Sequence, residues 1–359
     1  MWDRRTFLRS AGAGFATTLL PRGAEALERA DAIIASACLK PDGGFGVVLM
    51  NEAGRIISAL DLPDRGHDVT QCAVTGRLVV FGRQPGNFAL VFSRDGQGLT
   101  TIPAVEGRHF YGHGVFSPDG LLLYATENDF DNARGMVGIY DATDNFRRLG
   151  EFFSGGVGPH DMLLSADARY LCIANGGIET HPDFGRTKLN LATMQPNLAW
   201  LDRDTGSVVA VHDLPSDLHQ LSLRHLAAGS DGRIWVGAQY EGPQEHIVPL
   251  IGAAAPDRAF AFAELPDEVT AQLANYIASI AALPGGGEIA ATSPIGNTAI
   301  ILDENGKLLS IKPLQNVSGV AGTRSGFALS TGDGAFLASE TAESVMPGVD
   351  FDNHLYLAG

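Results

Sequence analysis

The chain has 359 residues, with 25 Lys or Arg against 41 Asp or Glu, so its formal net charge is −16. An anionic surface repels phosphate backbones, which excludes nucleic acid as the expected partner. A hydrophobic fraction of 45% excludes a disordered chain, and three cysteines are too few for a disulfide framework. The 44 glycines favour short strands joined by tight turns.

Residues 1–26 are predicted to be a cleavable export signal. Residues 3–9 read DRRTFLR and resemble the bacterial twin-arginine export motif. The apolar stretch Ala11–Leu20 is too short to span a bilayer, and Ala24-Glu25-Ala26 provides a small-x-small cleavage pattern. A basic N-terminal helix is the alternative. We expect residues 27–359 to form a periplasmic protein with no stable membrane span.

Residues 27–359 are predicted to form a single all-β domain built from one repeated unit. Each unit reads as a strand, a tight Asp/Gly turn and a second strand, followed by two further strands. The six visible units begin near His67, His113, His160, His225, Ile277 and Gly319. The first two intervals are close to the roughly 40–50 residues of a four-stranded propeller blade. The third, from His160 to His225, is stretched by an insertion at 176–197.

The two ends of the chain are expected to supply a seventh blade. The N-terminal part offers only three strands, at Ala32–Cys38, Gly46–Met50 and Ile56–Leu62. Residues Asp352–Leu357 resemble the missing first strand. Pairing strands from both termini removes the open edge of a ring. We therefore predict a seven-bladed β-propeller, with six blades as the alternative.

The three cysteines lie in apolar, strand-like runs. Cys38 and Cys72 could form a disulfide in the oxidising periplasm, but buried free thiols are the preferred interpretation for both and for Cys172.

Propeller geometry predicts where a site would lie. If the strands of a blade are called a to d from the axis outward, the b–c and d–a connections share one face. The longest b–c connections are predicted at Glu127–Gly135, Gly176–Asn197 and Gln239–Gly252. They overhang the channel mouth, and long polar loops on a rigid scaffold commonly carry function.

Five histidines are expected to line that mouth, each at the start of an a strand: His67, His113, His160, His225 and His354. Asp68 and Asp161 directly follow two of them, and Asp352 precedes a third by two residues. Imidazole and carboxylate ligands suit iron, copper, zinc or manganese. The alternative is that each imidazole only supports a neighbouring turn. The sequence has no Cys-x-x-Cys-His motif for covalent haem and no nucleotide-binding fingerprint.

The insertion is the second candidate region, because its polar side chains show no strand or helix period. Glu179, His181 and Asp183 could add metal ligands, and Arg186 and Lys188 could hold an anion. The full set of candidate ligand or partner residues on these loops is Glu179, His181, Asp183, Arg186, Lys188, Asn190, Gln195, Arg224 and Gln239.

Several longer motifs carry a family resemblance: ANGGIETHP at 174–182, KLNLATMQP at 188–196, YGHG at 111–114, LRHL at 223–226 and DNHL at 352–355. They resemble the domain-of-unknown-function family numbered fifteen-thirteen over essentially the whole mature chain. The resemblance implies a propeller with repeats like those of quinoprotein amine dehydrogenases and surface-layer proteins. It also implies a role in periplasmic iron handling beside imelysin-type or di-haem peroxidase-like proteins, which are the expected partners.

Three hypotheses follow. The first is an accessory protein of iron uptake that binds iron or copper through the channel histidines. The second is an enzyme, because Gly158-Pro159-His160 and Arg224-His225-Leu226 also resemble motifs of propeller lactonases. A redox enzyme with a copper site like that of nitrous oxide reductase would need more than these five histidines. The third is an interaction scaffold whose loop face docks a protein partner.

Overall fold

The computed structural model describes residues 18–19, 33–338 and 343–358. Of the predicted signal peptide, only the strand Thr18–Leu19 falls within the described residues, where it pairs with the outer edge of the first blade. The remainder of residues 1–26 lies outside them, and the export signal stays a prediction. No helix in the described ranges is both long enough and apolar enough to cross a membrane.

The protein is an all-β, seven-bladed propeller, as predicted. Each blade is an antiparallel sheet of four main strands, a to d. The innermost strands contact one another in sequence, and the last contacts the first, so the ring is closed. From strand a to strand d, blade 2 contains Gly66–Gln71, Leu78–Gly82, Phe88–Phe92 and Gly98–Pro103. Blade 3 contains Arg108–Phe116, Leu122–Asp129, Arg134–Asp141 and Arg147–Phe153. Blade 4 contains Pro159–Leu164, Tyr170–Asn175, Asn197–Asp202 and Val208–Asp213.

Blades 5 to 7 continue the same order around the axis. Blade 5 contains Leu221–Ala228, Ile234–Tyr240, Ile251–Ala255 and Arg258–Phe262. Blade 6 contains Ser279–Ala282, Glu288–Ser293, Thr298–Asp303 and Leu308–Pro313. Blade 7 contains Val317–Thr323, Gly326–Thr331, Ala335–Leu337 and Glu343–Val345.

Blade 1 joins the two ends of the chain. Its b, c and d strands are Ile33–Leu39, Phe45–Asn51 and Ile56–Leu62. Its a strand comes from the C-terminal segment in two pieces, Asp350–Phe351 and Tyr356–Ala358, which both pair with the b strand. Closure by strands from both termini is therefore confirmed.

The hydrophobic core lies between neighbouring blades rather than in one central mass. Strands alternate their side chains between two faces, and each face of a blade packs against one of its two neighbours in the ring. One such layer unites blades 4, 5 and 6 around the buried Trp200 and Trp235, and a second closes the ring between blades 7 and 1 around Phe336 and Met50.

The predicted long connections are correct in two of three cases. Residues 176–196 form a b–c excursion with the short 3₁₀ helices Pro182–Phe184 and Leu191–Thr193, and residues 241–250 form another. The third, Glu127–Gly135, is wrong because both strands of blade 3 extend through it to Asp129 and Arg134. Sequence reasoning missed the long d–a connection between blades 5 and 6, which contains the α-helix Asp267–Gln272. The d–a connection between blades 4 and 5 contains a 3₁₀ helix, Ser216–Leu218.

All three cysteines are free and buried. Burial raises the pKa of the Cys38 thiol to about 12 and also raises that of Cys172. Because the thiolate is the reactive form, we expect the native protein to react little with an aromatic disulfide reagent at pH 8, and all three thiols to react after denaturation. Fewer than three reactive thiols in the denatured, unreduced protein would contradict this and would instead support a disulfide between Cys38 and Cys72.

Candidate functional site

The five channel histidines lie in one cluster on the propeller axis. Their ring centroids are 4.6–6.1 Å apart in eight pairs. His113 is the central ring, because it contacts the other four. His160 is half-buried and the other four are buried. The structure thus brings together all the residues that the repeat pattern placed at the channel.

β-Bulges position these side chains. The register between the a and b strands shifts at His67 in blade 2, near His113 in blade 3, at His160 in blade 4 and next to His225 in blade 5. A bulge adds one residue to a strand and redirects its side chains. In blade 1 the a strand is interrupted between its two pieces, and His354 lies in that interruption.

Gly112 allows two of these rings to approach. Its φ is +113°, and a Cβ atom there would lie 2.6 Å from Cδ2 of His67. A side chain at this position would meet both a strained backbone and the His67 ring, so glycine is required for the packing of His67 against His113.

Carboxylates lie against the Nδ1 atoms of two buried rings, His67 and His113. His113 Nδ1 lies 3.2 Å from Asp68 and 3.2 Å from Asp161. The Leu226 N–H donates to Asp161 at 2.8 Å and fixes that carboxylate. His67 Nδ1 lies 2.9 Å from Asp352. Carboxylates placed in this way commonly orient the histidine ligands of metal ions and leave Nε2 as the ligand atom.

The electrostatics divide the cluster into one charged ring and four neutral ones. Burial opposes a charge on His113, but Asp161 and Asp68 outweigh it and raise the pKa of His113 to about 10. Burial, followed by repulsion from a charge on another histidine of the cluster, lowers the pKa of the remaining four rings: His67, His160, His225 and His354. Four imidazoles are therefore neutral at pH 7, which is the form that binds metals.

Several ring nitrogens in the cluster lack a hydrogen-bonding partner among the described residues. They are His113 Nε2, His160 Nδ1, His225 Nδ1 and His354 Nε2, all buried. His113 Nδ1 also lacks hydrogen-bond geometry, although it lies within ion-pair distance of Asp68 and Asp161. Two groups of three histidines offer ligand atoms within 4.8 Å of one another: His67, His113 and His354, and His113, His160 and His225. His113 belongs to both groups. The donor set of imidazoles with carboxylates behind them fits a first-row transition-metal ion.

The cluster divides the axial channel into two compartments. On the face of the short turns lies a cavity of about 540 Å³, with Asp68, His113, Asp161 and His354 in its wall. Elsewhere its wall is largely apolar, with small residues such as Ala227, Ala281 and Ala321. This compartment leads from solvent to the histidines and their carboxylates.

The other compartment lies under the predicted long loops. Arg186, Lys188 and Arg224 line a cavity of about 250 Å³ together with His160. Lys188 forms an ion pair with Glu241, which also accepts from Arg224 at 3.0 Å. Three of the predicted loop residues are thus brought above the histidine cluster.

The other predicted loop residues have different places. His181 lies near Asp131 and Asp183, at 3.5 and 3.7 Å, and all its described contacts are to groups outside the histidine cluster. Asn190 braces the loop, since its side chain accepts from the Glu179 N–H at 2.7 Å and donates to the Gly177 carbonyl at 2.9 Å. Gln195 is exposed, and Gln239 bridges to Tyr276 by backbone pairing.

Sequence reasoning missed two arginines. Arg65 and Arg83 contact Asp352 at 2.7 and 3.2 Å, so that carboxylate joins both arginines to His67. Arg65 lies two residues before His67, and this proximity was the one available signal. Arg83 lies on the b–c connection of blade 2, where no residue pattern distinguishes it.

Comparisons with known proteins show the family and the fold. Residues 60–358 match the sequence model of a family described as "Protein of unknown function (DUF1513)". Among curated proteins nothing matches. Hydrazine synthase of Kuenenia stuttgartiensis is 15% identical, with a TM-score of 0.61 over 82% of this chain and 91% of that one. The β-propeller domain of Cps50 (Swd1) from Myceliophteria thermophila is 13% identical, with a TM-score of 0.55 over 86% and 91%. At these identities the two structures are similar in fold alone.

Proposed function

The chain belongs to the DUF1513 family of proteins of unknown function, and we propose that it binds a transition-metal ion through its five channel histidines. The proposed metal is iron or copper, held on the axis of the propeller. Two rings beside carboxylates, His67 and His113, would provide Nε2 ligands, and His160, His225 and His354 complete the set. His113 would release its Nε2 proton when the metal binds, because a charged imidazole has no lone pair to donate.

One observation carries this proposal: four buried imidazole nitrogens have no partner within the described chain. A histidine that only supports a turn uses its ring nitrogens for hydrogen bonds, because buried polar atoms are seldom left unpaired. Leaving one unpaired costs about 1–3 kcal/mol, and several such atoms directed to one place would be a large penalty without a ligand. A metal ion can satisfy several imidazole nitrogens at once, because it accepts a lone pair from each of them.

The cellular role is part of the same proposal. Residues 3–9 support export through the twin-arginine pathway, and the protein would then act in the periplasm. We propose an accessory function in iron or copper handling, with an imelysin-type or di-haem peroxidase-like protein as the partner that the family resemblance implies. The loop face above the histidines is the surface proposed for that encounter.

Elemental analysis tests the metal proposal directly. Protein exported natively and purified without chelator or affinity-tag histidines should contain about one transition-metal ion per chain. Metal-free protein, prepared with a chelator, should recover the same content on addition of ferrous or cupric ions. No metal above background, even after reconstitution, would refute the proposal.

Hydrolysis of a lactone is the second candidate, favoured by the position of His160 and Arg224 in the wall of one cavity. A general base beside a guanidinium group is suited to opening a cyclic ester. Turnover of sugar lactones by metal-free protein, lost in Arg224→Gln, would favour the enzyme over the metal-binding protein.

A further inference from the structure

The cavity above the histidines has a charge opposite to that of the protein. The chain carries a net charge of −16, yet four basic side chains line this cavity and the passage below it: Arg83, Arg186, Lys188 and Arg224. Arg65 is a fifth, close enough for its charge to act on Arg186. Local fields of this kind concentrate ligands of the opposite sign.

Acidic partners compensate only part of this charge. Asp352 is shared by Arg65 and Arg83, and Glu241 is shared by Lys188 and Arg224. Glu179 lies near enough for its charge to act on the Tyr111 hydroxyl. Three carboxylates thus face five cations, and the excess of positive charge lies at the cavity.

Arg186 is the uncompensated cation. It has no ion pair or hydrogen bond to any described residue, although it lines both the cavity and the passage to His67, His160 and His225. Its side chain is exposed to solvent at the mouth of the cavity, where the positive charges of Arg83 and Arg224 repel its own. Arg224 adds a buried Nε–H that has no acceptor in the described ranges. Arg186 and the Nε–H of Arg224 therefore leave guanidinium donors at this cavity without an acceptor among the described residues.

The remaining lining indicates the type of molecule that would fit. Guanidinium groups bind carboxylates and phosphates in a planar, bidentate manner. Tyr111 and Ser222 add hydroxyl groups, and Gln84 adds an amide that already donates to Thr180 at 2.7 Å. The volume of about 250 Å³ is below the roughly 300–1,000 Å³ of sites for drug-sized ligands, so the molecule must be small.

We propose that this cavity binds a small hydroxycarboxylate, with its carboxylate between Arg186 and Arg224 and its hydroxylated body toward His160. The site would require no metal at the histidines. It goes beyond the proposed metal-binding function, because it assigns an organic anion to the compartment under the long loops rather than to the one that contains Asp68 and Asp161.

Calorimetric titration of the metal-free protein tests this site. Malate should bind, glycerol should not, and Arg186→Gln should weaken malate binding at least about tenfold, because a charge-assisted hydrogen-bond pair is lost. Arg186→Lys should lie between the two. The matched control is Arg258→Gln, which removes an exposed arginine paired with Asp231 on the opposite face and should bind malate like the wild type.

Unchanged malate affinity in Arg186→Gln, or no malate binding by the wild type, would overturn the proposal. Tighter binding of inorganic phosphate than of malate would overturn the assignment to a carboxylate. Metal content separates this test from that of the proposed function. Arg186→Gln should retain wild-type metal after reconstitution, and malate binding by a protein that never takes up metal would support the anion site while refuting the metal site.

Discussion

Replacing His113 and His160 together with alanine should abolish transition-metal binding, with a loss of affinity well above a hundredfold. His113 is common to both three-histidine groups, and His160 belongs to the second. Loss of only the outer hydrogen-bonding partner of a ligand typically costs about 10–100-fold in affinity, so the loss of two ligands from one cluster should exceed that range. Competition titration against a chelator of known affinity measures the change.

The design needs a control for folding and a control for histidine content. His113→Gln with His160→Gln retains most of the buried volume and should lose the metal equally while keeping the wild-type far-ultraviolet dichroism. His219→Ala removes a half-buried histidine on a d–a connection, whose Nδ1 lies 3.0 Å from the Ser216 carbonyl, and should leave the affinity unchanged. Wild-type affinity in the paired variant would place any bound metal elsewhere.

Asp352→Asn should destabilise the protein by about 3 kcal/mol at pH 7. The carboxylate is buried and contacts His67, Arg65 and Arg83, and it also accepts from the Asn353 N–H at 2.8 Å. An asparagine of the same shape leaves a mostly buried guanidinium group at Arg83 without its charge partner. Because Asp352 lies between the two pieces of the closing strand, the loss also weakens the junction of blades 1 and 2.

The pH dependence of stability provides a second readout for Asp352. Burial favours the neutral carboxyl, but His67, Arg83 and Arg65 outweigh it and hold the pKa of Asp352 well below its usual value. Its stabilisation is therefore complete above the unfolded-state pKa of about 3.9 and is lost as the pH falls below that value, when the unfolded chain takes up the proton first. Asp352→Asn should lose this part of the acid sensitivity.

Urea unfolding at several pH values measures both effects. Asp350→Asn is the matched control, since Asp350 lies on the same closing strand but is exposed, and its substitution should change stability by less than about 0.5 kcal/mol. Equal stability of Asp352→Asn and wild type would show that the arginines find other partners and that Asp352 does not hold the ring closed.

The fold could be predicted because blade repeats appear directly in the residue order. A strand, an Asp/Gly turn and a second strand recur with each blade, and the d strand of blade 1 was predicted to the residue, at Ile56–Leu62. The failure at Glu127–Gly135 has a physical cause. Polar residues in a row predict a loop, but Glu127 is buried inside blade 3, where Arg148 and Tyr140 bind its carboxylate.

The sequence by itself determined that five histidines share one place. Each occupies the same position in its repeat, and the rotational symmetry of a propeller brings equivalent positions of the inner strands to the axis. Only the tertiary structure decided which carboxylate serves which ring, how bulges turn the imidazoles together, and that Arg186 and Arg224 share a cavity with His160. Those contacts join residues far apart in the chain, and the aperiodic path of residues 176–196 is set by packing and by hydrogen bonds such as those of Asn190.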